Sequence, residues 1–75
     1  MSNLSGIARR FEFTGGNSRK FWEVSSQGNE VKVRFGRIGT QGQVQVKSFE
    51  DAEAAAKNVE KLVREKLGKG YREVG

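Results

Sequence analysis

The stretch with the most chemical character is Val33-Arg34-Phe35-Gly36-Arg37-Ile38-Gly39-Thr40-Gln41-Gly42-Gln43. It sets an aromatic ring, a glycine and an arginine in succession, then a polar, glycine-rich loop. A flat apolar ring can stack on a base or a sugar. Arginine offers a planar, permanently charged fork for phosphate. Glycine lets backbone N–H groups come close to an anion. Lys32, Arg34 and Lys47 fall on neighbouring extended segments and would widen a positive surface. The candidate nucleic-acid contacts are therefore Phe35, Gly36, Arg37, Arg34, Thr40, Gln41, Lys32, Lys47 and Lys20.

Other chemistries lack their residues. The 75 residues contain no Cys, no His and no Pro. That excludes a zinc finger, a thiol nucleophile and a Ser-His-Asp triad within the chain. Gly36, Gly39 and Gly42 resemble a phosphate cradle but lack the Lys-Ser/Thr of a P-loop. Glu23 and Glu30 are isolated carboxylates with no sign of a glycosidase pair. With no nucleophile–base pair and no metal cluster, the expectation is a non-enzyme without cofactor, metal or small-molecule substrate.

The formal net charge is +5. Eight of the 14 basic residues lie in residues 1–49, against three of the nine acids. The last 26 residues carry six of each and are neutral. An excess confined to one part of a small fold makes a one-sided field that draws polyanions. The segment Met1–Gly6 has neither a basic start nor an apolar run, so no signal peptide is expected. The longest apolar run is the three alanines Ala54–Ala56, too short to cross a membrane. A cytoplasmic protein is expected, one domain over residues 1–75 with a flexible segment over 1–6.

The elements that must position these residues follow from periodicity. Residues 7–14 read as a strand, with Phe11 and Phe13 opposite Arg10 and Glu12. Gly15-Gly16-Asn17-Ser18 is a turn cluster. Residues 19–26 form a second strand, with Trp22 and Val24 on the core side and Phe21 and Glu23 on the other. Gln27-Gly28-Asn29 suits a tight hairpin. Residues 30–35 alternate Val31, Val33 and Phe35 against Glu30, Lys32 and Arg34. A bulge is expected at Gly36 and a hairpin loop over Gly39–Gly42. Residues 43–47 set Val44 and Val46 opposite Gln43, Gln45 and Lys47. The period changes at Ser48, which with Asp51 fits a capping pair. Ala52, Ala55, Ala56, Val59, Leu62, Val63 and Leu67 then mark the apolar stripe of one helix ending at Gly68 or Gly70. Tyr71 and Val74 return the tail to the sheet. The fold class is α+β: a small antiparallel meander of four to five strands with one amphipathic helix packed across it.

At this point the chain resembles the WGR domain, named for a Trp-Gly-Arg signature. Lys20-Phe21-Trp22-Glu23 matches the family's aromatic second strand, and Val33 to Gln43 matches the signature and its loop. Lys47-Ser48-Phe49, the alanine-rich helix and Glu65-Lys66-Leu67-Gly68-Lys69-Gly70-Tyr71 match the remainder. In eukaryotic poly(ADP-ribose) polymerases such domains help to bind DNA breaks. The signature Trp packs against the terminal nucleotide, and the Arg supports DNA and interdomain contacts. Carried over, the resemblance implies these roles for Phe35 and Arg37, with Gly36 permitting close approach. This chain departs from the signature in having Phe for Trp, which keeps a stacking surface but loses area and the indole N–H. These 75 residues hold no ADP-ribosyl transferase region, and the resemblance carries the expectation of a free-standing WGR protein of the bacterial kind.

Two readings of the key residues stay open on sequence. Alternation puts Phe35 with Val31 and Val33 in the core, whereas a bulge at Gly36 turns it outward. Arg37 either meets a phosphate or braces its own loop. Two functions follow. One is nucleic-acid binding, DNA ahead of RNA, with duplex ends or breaks as the target. The other is docking of a protein partner through the same loop or a sheet edge. A nucleic-acid-binding barrel of the cold-shock type is disfavoured by the long C-terminal helix.

Overall fold

The computed structural model describes residues 8–74. The segment 1–6, expected to be flexible, lies outside the described residues. The elements are β1 (Arg9–Gly15), β2 (Ser18–Gln27), β3 (Glu30–Arg37), β4 (Gln43–Ser48), α1 (Ala52–Gly68) and β5 (Arg72–Val74). The five strands form one sheet in the order β4-β3-β2-β1-β5, antiparallel throughout. The expected meander is therefore present, and the chain after the helix returns to pair with β1.

Register decides the faces, because directly paired residues of antiparallel strands point the same way. Phe11 pairs with Trp22 and Trp22 with Phe35, while Val24 pairs with Val33. These side chains form one face, and α1 lies across it, chiefly over β2 and β3. Phe11, Trp22, Val24, Val31, Ala55 and Val63 are buried there, with Val33, Phe35, Val59 and Leu62 packed against them. Ala55 is fully buried. Its lack of side-chain bulk lets the helix axis approach the tilted Phe11–Trp22 ring pair, whose centroids are 5.6 Å apart.

Several expectations need correction. β3 pairs with β2 without interruption from Glu30 to Arg37, so there is no bulge at Gly36. The reason for glycine lies elsewhere: a Cβ at Gly36 would stand 2.8 Å from the Gly42 Cα. For β4, where alternation left the core side open, register turns the valines outward. Val44 pairs with Arg34 and Val46 with Lys32, so both valines point away from the helix. Alternation alone reveals two parity classes; only register says which one meets the core. The helix begins later than Ser48. Asp51 is its N-cap, its carboxylate accepting from the Ala54 N–H at 2.8 Å. Of the expected stripe, Ala52, Ala56 and Leu67 are exposed. Ala52 stands at the helix start, while Ala56 and Leu67 are rotated off the line through Ala55, Val59 and Leu62.

Candidate nucleic-acid interface

The helix-free face carries a second, polar-capped cluster. Phe21 points to that face yet is 1% exposed. Two guanidinium groups cover its ring, Arg10 at 4.5 Å and Arg34 at 5.1 Å from the centroid. Glu23 clamps both. It accepts from Arg34 Nε and Nη2, each at 3.0 Å, and from Arg10 Nη1 at 2.7 Å. The third side of Phe21 is closed by Gly42. A Cβ there would meet the Phe35 carbonyl oxygen at 2.3 Å and Phe21 Cζ at 2.9 Å, and its φ is +71°. Only glycine accommodates both the approach and the left-handed backbone.

The loop after β3 is thus laid over the helix-free face and tied down. Arg34 Nη1 donates to the Gln41 carbonyl at 2.9 Å. Thr40 Oγ1 donates to the Arg37 carbonyl at 2.8 Å, and the Thr40 N–H to the same oxygen at 3.1 Å. The Ile38 N–H donates to the Arg19 carbonyl at 3.0 Å. These bonds fix the point at which Arg37 leaves the sheet.

On the opposite face, at the C-terminal end of α1, an open cavity of about 390 Å³ is lined by Lys20, Trp22, Phe35, Gly36, Arg37, Lys66 and Tyr71, and Asn17, Ser18, Arg19 and Phe21 complete its lining. Lys20 is the direct strand partner of Arg37, so the two cations stand side by side. Phe35 is half-buried, resting on the core while also lining the cavity. The helix end supplies the remaining wall. The Tyr71 N–H donates to the Lys66 carbonyl at 3.0 Å and the Gly70 N–H to Leu67 at 3.1 Å, the paired bonds of a Schellman closure, with Gly70 at φ +100°. That closure folds Tyr71 back over Lys66. The Lys66 ammonium lies 5.4 Å from the Trp22 ring and 5.3 Å from the Tyr71 ring. Among the described residues, Lys20, Arg37 and Lys66 have no ion-paired acid. The Lys66 ammonium is held below the usual lysine range, first by loss of solvent and then by Lys69, with Lys20 adding to it against the opposing Glu65.

The sequence candidates therefore separate into groups. Lys20, Phe35, Gly36 and Arg37 meet at the cavity. Arg34, Thr40 and Gln41 brace the loop from the other face, with the Arg34 guanidinium committed to Glu23 and Gln41. Lys32 is exposed on the helix-free face opposite Val46, and Lys47 is on the edge strand; neither lines the cavity. Sequence reasoning did not place Lys66 and Tyr71 at the cavity and took Trp22 as core alone. A signal for Lys66 was present. It follows Leu62 by four residues and Val63 by three, a lysine on the apolar stripe where periodicity calls for a hydrophobe.

An antiparallel sheet crossed by one helix, with a cationic and aromatic cleft at the helix end, defines a small α+β domain. The chain belongs to the WGR domain family, whose model matches residues 7–75. That family is a non-catalytic module, associated with nucleic-acid binding in poly(ADP-ribose) polymerases. The chain is 51% identical over 63 residues to protein YehF of Escherichia coli strain K12, covering 84% of this chain and 23% of YehF. It is 35% identical over 67 residues to the uncharacterized protein YfeS of the same organism, covering 89% of this chain and 28% of YfeS. A crystal structure of a Bacteroides fragilis protein superposes with a TM-score of 0.90 at 43% identity, over 92% of this chain and 20% of that one. The chain thus spans about a quarter of the curated relatives it matches. No helix among the described residues is long and apolar enough to cross a membrane.

Proposed function

We propose that this chain is a non-catalytic module that binds nucleic acid, duplex DNA at its ends in particular, through the cavity at the helix end. The observation that carries this reading is the meeting of Lys20, Arg37 and Lys66 with Trp22, Phe35 and Tyr71 in one open cleft. The cations suit backbone phosphate, and the rings suit the exposed face of a terminal nucleotide. An end offers both together, whereas the middle of a duplex hides its base faces. A cavity of about 390 Å³ admits little more than one nucleotide. The candidate set narrows accordingly: Lys20, Phe35, Gly36, Arg37, Lys66 and Tyr71 touch the ligand. Arg34, Thr40 and Gln41 hold the loop.

The test is fluorescence anisotropy with a 5′-phosphorylated blunt duplex and a duplex closed by hairpin loops at both ends, across a salt series. Binding at low salt with preference for the open end supports the reading. Absence of binding to either duplex at low salt sinks it, and equal binding removes the preference for ends. Arg37→Ala is expected to weaken binding about 10-fold or more while leaving the fold intact, since its guanidinium is exposed. A partner that survives nuclease treatment of a lysate, with no duplex binding, favours protein docking instead.

A further inference from the structure

We infer that β4 is a self-pairing edge, joining two copies of this chain antiparallel about Gln45. β4 ends the sheet, so one side of its backbone has no strand beside it. All of its residues are exposed. Val44 at 53% and Val46 at 56% exposure are two of the three exposed large apolar side chains among the described residues. Natural edges are usually blunted by proline, bulges or charge. This edge has no proline, and its only charge is Lys47, whose ammonium folds back to 5.7 Å from the ring of Phe49. The opposite edge differs: β5 is three residues long and carries Arg72 and Glu73.

The strand is also held ready. At one end the Phe49 N–H donates to the Asn29 carbonyl at 2.8 Å, and Asn29 Nδ2 donates to the Phe49 carbonyl at 2.8 Å. At the other end Gly42 is wedged against Phe35 and Phe21. Little ordering is needed before a second strand can pair.

The occupant follows from the order of residues. Two copies related by a two-fold axis can pair antiparallel edges only with the axis perpendicular to the sheet, so one residue must face itself. With Gln45 facing Gln45, each Val44 stands opposite a Val46, and each Lys47 opposite a Gln43. Both valines gain an apolar cross-strand partner, and no lysine faces a lysine. Centring on Val44 sends Val46 opposite Gly42, outside the strand. Centring on Val46 sets Val44 opposite Ser48. The Gln43-Val44-Gln45-Val46-Lys47 sequence is thus self-complementary in one register. So short a contact buries far less than the ~1,600 Å² of a standard interface, so the pairing is weak and concentration-dependent. Each copy carries +5, so added salt strengthens it by screening repulsion. Nucleic-acid binding responds to salt in the opposite sense, which separates the two.

The chain has no cysteine, so single-cysteine variants report cleanly. Sedimentation equilibrium is expected to show a mass rising toward that of two chains in the sub-millimolar range, more steeply at higher salt. Gln45→Cys should cross-link on mild oxidation and Lys57→Cys, on the exposed helix surface, should not. Val46→Lys should restore the monomer with an unchanged circular dichroism spectrum. A monomer at every concentration and salt overturns the inference. Equal cross-linking at 45 and 57, or a dimer indifferent to Val46→Lys, overturns the assignment to β4.

Discussion

At the scale of single residues, two ionised groups behave oppositely, and the contrast separates building from binding. The Glu23 carboxylate is held below the ordinary range, first by Arg34 and then by Arg10, against the cost of its burial. The unfolded chain therefore takes up this proton at higher pH than the folded one. The stabilisation is complete above the ordinary carboxylate range and is lost as pH falls through the lower folded value. Glu23→Gln is expected to cost about 1–2 kcal/mol at neutral pH and to flatten the acid limb of a plot of melting temperature against pH. Glu73, paired with Arg9 at the surface, shifts in the same direction, so the comparison must be with the wild type rather than with a flat line. Lys66 is the reverse case. Its folded pKa is lowered, so its charge costs stability at neutral pH and the cost fades as pH climbs through the folded value. Lys66→Met should leave thermal stability equal or raised while weakening duplex binding several-fold. A loss of stability with unchanged binding would make Lys66 a structural residue. Sequence periodicity could flag this lysine on an apolar stripe. It could not show that Gly70 would fold Tyr71 back over it.

At the scale of elements, the β3–β4 connection depends on two glycines used for closeness rather than flexibility. Gly42→Ala would drive a methyl into the Phe35 carbonyl and the Phe21 ring at a φ of +71°. The expected cost is about 2–4 kcal/mol, read as a lower denaturant midpoint at an unchanged slope. An undiminished midpoint would mean that the loop swings away freely and does not cap Phe21. Most of this layer was legible in sequence: the strand order, the turn at Gly28, the loop over Gly39–Gly42 and the single helix all follow from period and punctuation. The direction in which the loop folds was not legible. Glycine at 36 reads equally well as a bulge or as a floor for another backbone, and the choice depends on Gly42, six residues away. The role of Arg34 was hidden for the same reason. Its charge reads as a phosphate contact until register brings Glu23 beside it.

At the scale of the whole molecule, the sequence showed a net charge of +5 concentrated in the first 49 residues, and the fold redistributes it. Arg9, Arg10 and Arg34 are spent on Glu73, Glu12 and Glu23. A lysine from the neutral helical third joins Lys20 and Arg37 at the cavity. On the proposed reading the field that meets the ligand is a three-cation focus at the helix end rather than a basic sheet, and its strength is measurable. Release of about one counterion per neutralised phosphate gives a slope near −0.9 each, so log K against log salt should fall with a slope of about −3 for one copy. A two-fold axis perpendicular to the sheet sets both helices, and hence both cavities, on one face of the joined sheets. If both proposals hold, a paired molecule engages a polyanion at two sites at once, and its second contact is intramolecular. The slope should approach twice the single-copy value at protein concentrations where β4 pairs, provided that the duplex is long enough to reach both cavities. Val46→Lys should return it to about −3, the single-copy value, without altering the intrinsic site. A slope near −6 that survives Val46→Lys would instead assign the additional phosphates to Lys32, Lys47 or Arg19 on a single copy, and so restore the wider basic surface.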